Sequence, residues 1–315
     1  MGLSRGRFQR VLFAFAILVS GIVTAQAEKR VALLIGNGAY ASGAQLLNPR
    51  NDVEALRGVL KAAGFDSIEA QTDLDRGSMV KALRSFEEKV QGSDIAVVFY
   101  SGHGIEFNGQ NFLIPVDAKL VSDRDIEDET LSLDRVLRAI DGAAKLKLVL
   151  LDACRDNPFA NTMKRSLTRG GASRGLARVD AAEANMLIAY AAAPGQLALD
   201  GDGRNSPFTS ALVKHLLTPG LDIRLALGKI RDEVATTTGR RQIPFQTGSL
   251  GGDMIQLAPA TPPRQPAGRR RSGRCSRPRC DPEPAGERGR EAADDVQRDR
   301  RRLCHGPDRQ VRGGG

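Results

Sequence analysis

The sequence has no tryptophan, three tyrosines and three histidines, and aromatic residues make up 4% of its 315 positions. Without a set of stacking rings, a platform for single-stranded nucleic acid is excluded. Cysteine is scarce and unevenly placed: of four, Cys275, Cys280 and Cys304 lie near the C-terminus, and Cys154 stands alone in the body of the chain. That pattern is no disulfide framework, and with no C-x-x-C pair it offers no dithiol redox motif. A phosphate loop ending in G-K-[ST] is also missing, and Gly36-Asn37-Gly38 lacks the third glycine and the immediate helix of a dinucleotide site. Apolar runs long enough to span a bilayer are absent; the longest candidate, residues 11–19, falls short.

What is there divides into three parts. Arg5, Arg7 and Arg10 precede that short apolar run, and Ala25-Gln26-Ala27 has the small-x-small pattern of a signal-peptidase site. Residues 1–27 are therefore expected to be a signal peptide, and the mature protein to be exported, periplasmic or secreted, with no stable membrane span. Residues 264–315 hold 15 Arg against 8 Asp or Glu and so carry most of the formal charge of +9, while residues 28–263 sum to −1. Nucleic acid is thus not an expected partner of the folded part. From Pro259 onward the apolar periodicity stops, and 259–315 is expected to be a disordered Arg/Pro-rich tail. Cys275, Cys280, Cys304 and His305 within it are too irregularly spaced for zinc.

Between these ends, residues 28–258 read as one α/β domain. Apolar strands are expected at RVALLIGN, 65–70, DIAVVFY (94–100), LKLVLLDAC (146–154) and NMLIAYAA (185–192), with a closing strand at 253–257. Helices are expected over 49–63, stopped by Gly64, and over 78–90, 131–140, 207–217 and 221–237. Asn108-Gly109 marks a hairpin. Alternating strands and helices predict a mostly parallel sheet with helices on both faces. Residues 161–183, rich in glycine and basic residues, are expected to be a mobile loop. Gly171-Ala172-Ser173-Arg174-Gly175 within it spells the serine-hydrolase pattern, but no strand precedes it.

Two buried strands end in groups capable of chemistry, DIAVVFY in Ser101-Gly102-His103-Gly104 and LKLVLLD in Ala153-Cys154. If they are neighbours, their carboxyl edges coincide and bring His103 to Cys154. An imidazole beside a thiol supplies the base that makes a nucleophile and the acid that protonates a leaving amine. Gly102 and Gly104 are expected to turn the chain sharply there, with the Gly104 and Cys154 N–H groups able to hold an oxyanion. Strand alternation puts Asp152 and Cys154 on one face. The remaining body histidine, His215, sits in a helix among residues without catalytic partners.

YSGHG after one strand and LDACRDNPF after another, preceded by RVALLIGN and LLNPRNDV, resemble the caspase-like cysteine peptidases, and among them the prokaryotic metacaspase-like members. The resemblance covers about residues 29–257. It implies a caspase-like three-layer sandwich, His103 as general acid/base and Cys154 as nucleophile. It also implies a pocket for P1 Arg or Lys formed by Asp52, Ser101 and Asp152, with protein or peptide substrates as partners; paired carboxylates suit a cation and reject an acidic side chain. If P1 is basic, self-cleavage after Lys164, Arg165, Arg169, Arg174 or Arg178 follows naturally, between parts resembling the large and small subunits. Some relatives need calcium. Asp117, Glu127, Asp128 and Glu129 supply part of such a cluster, but Asn161 stands where a further acid is expected, so no cofactor is taken as required and the acidic run reads as a solvated loop. The rival reading is a catalytically silent caspase-like binding module of the cell envelope, whose relatives usually lack the His or the Cys; this chain has both.

Overall fold

The computed structural model describes residues 28–154, 163, 184–194 and 196–258, within a compact unit bounded at Pro262. The proposed signal peptide, the tail and nearly all of the basic stretch 161–183, including its five candidate cleavage residues, lie outside the described residues. Met163, the one described position in that stretch, is buried against the cluster of Tyr40, Ile105 and Phe112.

The order is β1 (Arg30–Gly36), α1 (Pro49–Ala62), β2 (Ser67–Thr72), α2 (Arg76–Val90), β3 (Ile95–Phe107), β4 (Gln110–Leu113), α3 (Asp125–Glu129), β5 (Leu131–Ser132), α4 (Leu133–Ala139), β6 (Leu146–Cys154), β7 (Met186–Tyr190), α5 (Pro207–His215), α6 (Ile223–Thr237) and β8 (Phe245–Ser249). The main sheet runs β2-β1-β3-β6-β7-β8, parallel except for β8 against β7. The fold is a caspase-like α/β sandwich.

Its layers follow from alternation along the central strands. Ala32 and Leu34, Val97 and Phe99, and Leu148 and Leu150 pack with α1, α5 and α6 on one face. Val31 and Leu33, Val98 and Tyr100, and Val149 and Leu151 pack with α2 and α4 on the other. Both faces are dry, so the strands read as unbroken apolar runs. The same parity carried two residues past Phe99 and Leu150 puts Ser101 and Asp152 on the α1/α5 face, where Asp52 of α1 meets them.

Four expectations need correction. The chain does not turn at Gly102: β3 continues extended through His103 and Gly104 to Phe107, then reverses into β4 at Asn108 (φ 52°) and Gly109 (φ 79°), a primed turn. Gly102 serves close approach, because a Cβ there would lie 2.7 Å from the hydroxyls of both Tyr40 and Tyr100. The closing strand is Phe245–Ser249; residues 253–257 form no strand, although Leu257 is buried in the α1/α5/α6 face of the core. Residues 131–140 split into the two-residue β5, paired to β4, and the shorter helix α4, with α3 an unforeseen turn of helix before them. The second strand begins at Ser67, two residues later than expected.

Candidate active site

The β3 and β6 backbones run in register from Ile95 opposite Leu146 to His103 opposite Cys154. The two candidate catalytic residues are therefore direct register partners at adjacent strand ends, with Ser101 opposite Asp152 two residues earlier.

His103 is 3% exposed and held from several directions. Its backbone N–H donates to the Tyr40 hydroxyl (2.7 Å), its carbonyl accepts from the Tyr100 hydroxyl (2.7 Å), and the Tyr40 ring lies against the imidazole with centroids 4.4 Å apart. Asn37 ties down the neighbouring strand end: its backbone N–H donates to the Ser101 carbonyl (2.8 Å) and its side-chain amide to the Ile114 carbonyl (3.2 Å).

The imidazole Nε2 lies 2.7 Å from the Ala44 carbonyl, which can only accept, so Nε2 carries the proton. Nδ1 is buried and makes no hydrogen bond among the described residues. In that tautomer the Nδ1 lone pair is the base. Burial holds the imidazole below its ordinary pKa, opposed by the Ala44 carbonyl and the charge of Asp200, so it is neutral at neutral pH.

A second cluster lies on the α1/α5 face. Asp52, in the first turn of α1, is fully buried: its Oδ1 accepts from the Asn205 amide and the Ser206 N–H, both at 3.0 Å, and its Oδ2 from the Ser101 hydroxyl at 3.0 Å. Asp152 is 6% exposed and accepts from the Ser206 hydroxyl and, at 2.8 Å, the Thr209 hydroxyl, both on Oδ2. Ser206, which also caps α5 by accepting from the Thr209 N–H, thus spans the two carboxylates. Among the described residues no lysine or arginine pairs with either. Gly36 makes this closeness possible, since a Cβ there would lie 2.4 Å from the Pro49 carbonyl at the start of α1.

Burial, above all, raises both acids: Asp52 to about 6, against its hydrogen bonds from Asn205, Ser206 and Ser101, and Asp152 to about 8, where the charge of Asp52 adds to burial. A carboxyl whose folded pKa exceeds its unfolded value near 4 binds more protons folded than unfolded, so its contribution to stability is lost as pH rises through the folded pKa. We expect the thermal midpoint to fall between about pH 6.5 and pH 8.5 and to fall less in Asp152→Asn, read by differential scanning fluorimetry. An identical slope in the variant would remove Asp152 as the cause.

Asp52, Ser101, Asp152, His103 and the Cys154 backbone are thus brought to one edge. Gly104 is buried beside them and opposite Leu113 in the hairpin. The acidic run is not gathered there: Asp117 accepts from the Arg76 N–H and Glu129 from the Lys119 N–H, and among the described residues no three metal-ligating side chains converge. His215 pairs with Glu233 on the outer side of α5. Sequence reading missed Tyr40, the Ala44 carbonyl, Asn205, Ser206 and Thr209, and gave no weight to Asp200. Asn205-Ser206-Pro207 carried a usable signal, an N-cap serine before a helix-starting proline, but its link to Asp52 crosses more than 150 residues.

Residues 29–254 match the family model of the caspase domain. Over 139 residues the chain is 30% identical to mucosa-associated lymphoid tissue lymphoma translocation protein 1 of Homo sapiens and to its Mus musculus homolog. That stretch is 44% of this chain and only 16% of each relative. Among solved structures, pro-sf-caspase-1 superposes with a TM-score of 0.53 at 19% identity, covering 73% of this chain and 91% of the other. Caspase-1 from Spodoptera frugiperda gives 0.50 at 17%, covering 75% and 92%.

Proposed function

The chain belongs to the caspase-domain family of cysteine peptidases, and from that premise we propose that it is an endopeptidase cutting after arginine or lysine through Cys154 and His103. In the first step the thiol proton passes to His103 Nδ1 as sulfur bonds to the scissile carbonyl carbon. The oxyanion accepts from the Gly104 and Cys154 N–H groups. The imidazolium then protonates the leaving amine as the C–N bond breaks. Water, deprotonated by the same nitrogen, releases the acid and restores the thiol.

The basic specificity is supported by one observation: among the described residues the two buried carboxylates have no cation, and both hydrogen bonds to Asp152 fall on Oδ2, leaving Oδ1 as acceptor. A carboxylate has about four lone-pair sites, so Asp52 and Asp152 retain capacity for a guanidinium fork. A P1 cation also relieves the repulsion and burial that raise both acids. Ser101 supplies a neutral wall between them. The reading further includes export, supported by the arginines and Ala-Gln-Ala of residues 1–27, self-cleavage in the basic stretch 164–178, and no calcium requirement.

The test is hydrolysis of paired fluorogenic peptides differing only at P1, Arg against Asp, by purified protein with and without calcium. We expect cleavage of the Arg peptide alone, at a rate calcium does not change. Cleavage of the Asp peptide would overturn the acidic pocket, and inactivity toward both from folded protein would favour the binding module.

A further inference from the structure

On the opposite face of the sheet from the carboxylates, a cavity of about 400 Å³ opens between the start of α2, α3, α4 and the β4–β5 pair. Three arginines line it: Arg76 from the first turn of α2, and Arg135 and Arg138, three apart and so neighbours on α4. Each carries an obligatory positive charge. Among the described residues none of them forms an ion pair, although elsewhere exposed basic residues such as Lys89 and Lys145 have found carboxylates. Glu127 lies at the same cavity and does not come within ion-pairing distance of any of the three. The lining therefore has an excess of two positive charges.

The neutral lining is of a matching kind. Ser132 lines the cavity just before α4, and its hydroxyl makes no capping bond. Thr130 spends its proton on the Ile126 carbonyl. Phe112 and Leu131 form an apolar floor. Three like charges around one concave space repel, and guanidinium forks with a hydroxyl between them are the groups that hold phosphate or carboxylate oxygens by paired N–H donors.

We propose that this cavity is a binding site for a small oxyanion of two or more negative charges, phosphate or carboxylate in type. Its size exceeds a lone phosphate ion and its concavity favours a small molecule over a flat macromolecular contact. The site is separate from Cys154 and His103 and does not depend on the peptidase reading.

The experiment is isothermal titration of the full chain with pyrophosphate and, separately, citrate, beside Arg76→Ala/Arg138→Ala, with sodium chloride matched in ionic strength. Binding of one anion per chain is expected, weakened by about a hundredfold or more in the double variant, which lacks two of the three guanidinium groups. The better of the two probes identifies phosphate or carboxylate. The thermal midpoint of the unliganded variant should match wild type, which shows that it is folded. Heat reproduced by sodium chloride, or binding retained in the variant as the Arg-rich 264–315 segment would give, overturns the proposal.

Discussion

Cys154→Ala protein is expected to lose hydrolysis of a P1-Arg peptide by at least about a thousandfold and to remain a single intact band on prolonged incubation, whereas wild type is expected to be cut within 164–178. The expectation rests on register. Among the described residues at this edge of the sheet, the Ser101, Ser206 and Thr209 hydroxyls are all engaged with Asp52 or Asp152, which leaves Cys154 as the expected nucleophile. His103→Ala should fall nearly as far, because the two act as one unit and losing either removes the same step. The pair of variants together gives the check: if the effects multiplied in the double variant, the residues would be acting independently and the dyad would be wrong. Gel analysis of the wild type after incubation reads the second half of the prediction. Persistence of one band there would remove self-cleavage while leaving the dyad untouched.

The second large effect concerns the carboxylates, where activity and stability are expected to move in opposite directions. Asp152→Asn should lower kcat/KM for P1 Arg by about a hundredfold or more, the 2–5 kcal/mol typical of truncating a buried, hydrogen-bonded charge partner. The same variant should melt no lower than wild type at pH 8. An ionised Asp152 beside ionised Asp52 in a nearly dry site destabilises the fold, and the amide oxygen still accepts from Ser206 or Thr209. A site that costs stability and confers specificity is the expected signature of function rather than of packing. Equal losses of activity and melting temperature would instead make Asp152 a structural residue. Acidity enters with a definite sign: as pH rises from about 5 to 8 the pair ionises more fully, so KM for P1 Arg should fall across that interval.

Much of this was legible because the relevant structure is repetitive. The two-residue alternation of β6 gives Asp152 and Cys154 one face, and the carboxyl-edge rule brings His103 to Cys154 on the condition that β3 and β6 are neighbours, which their register meets; Ser101 enters only through the resemblance. Gly102 was misread because glycine between polar residues is the commonest sign of a turn, and only the two tyrosine hydroxyls closing on it reveal the other reason for having no side chain. The strand at 245–249 was passed over because Gln246, Thr247, Gly248 and Ser249 are polar residues on an edge strand with little to bury. Residues that brace the site from the chain segment 200–209 left no periodic trace, since a loop contributes single atoms rather than a pattern.

The Ala44 carbonyl behind His103 also sets the order in which protons can move at this edge of the sheet. A carboxylate in that position would stabilise a doubly protonated ring, which has no lone pair to offer. A neutral carbonyl and a dry surrounding do the reverse, so the resting ring is uncharged and keeps Nδ1 unprotonated. Under the proposed mechanism the ring is therefore a base first and an acid only afterwards, and the proton it hands to a leaving amine is one that the arrival of substrate has put there.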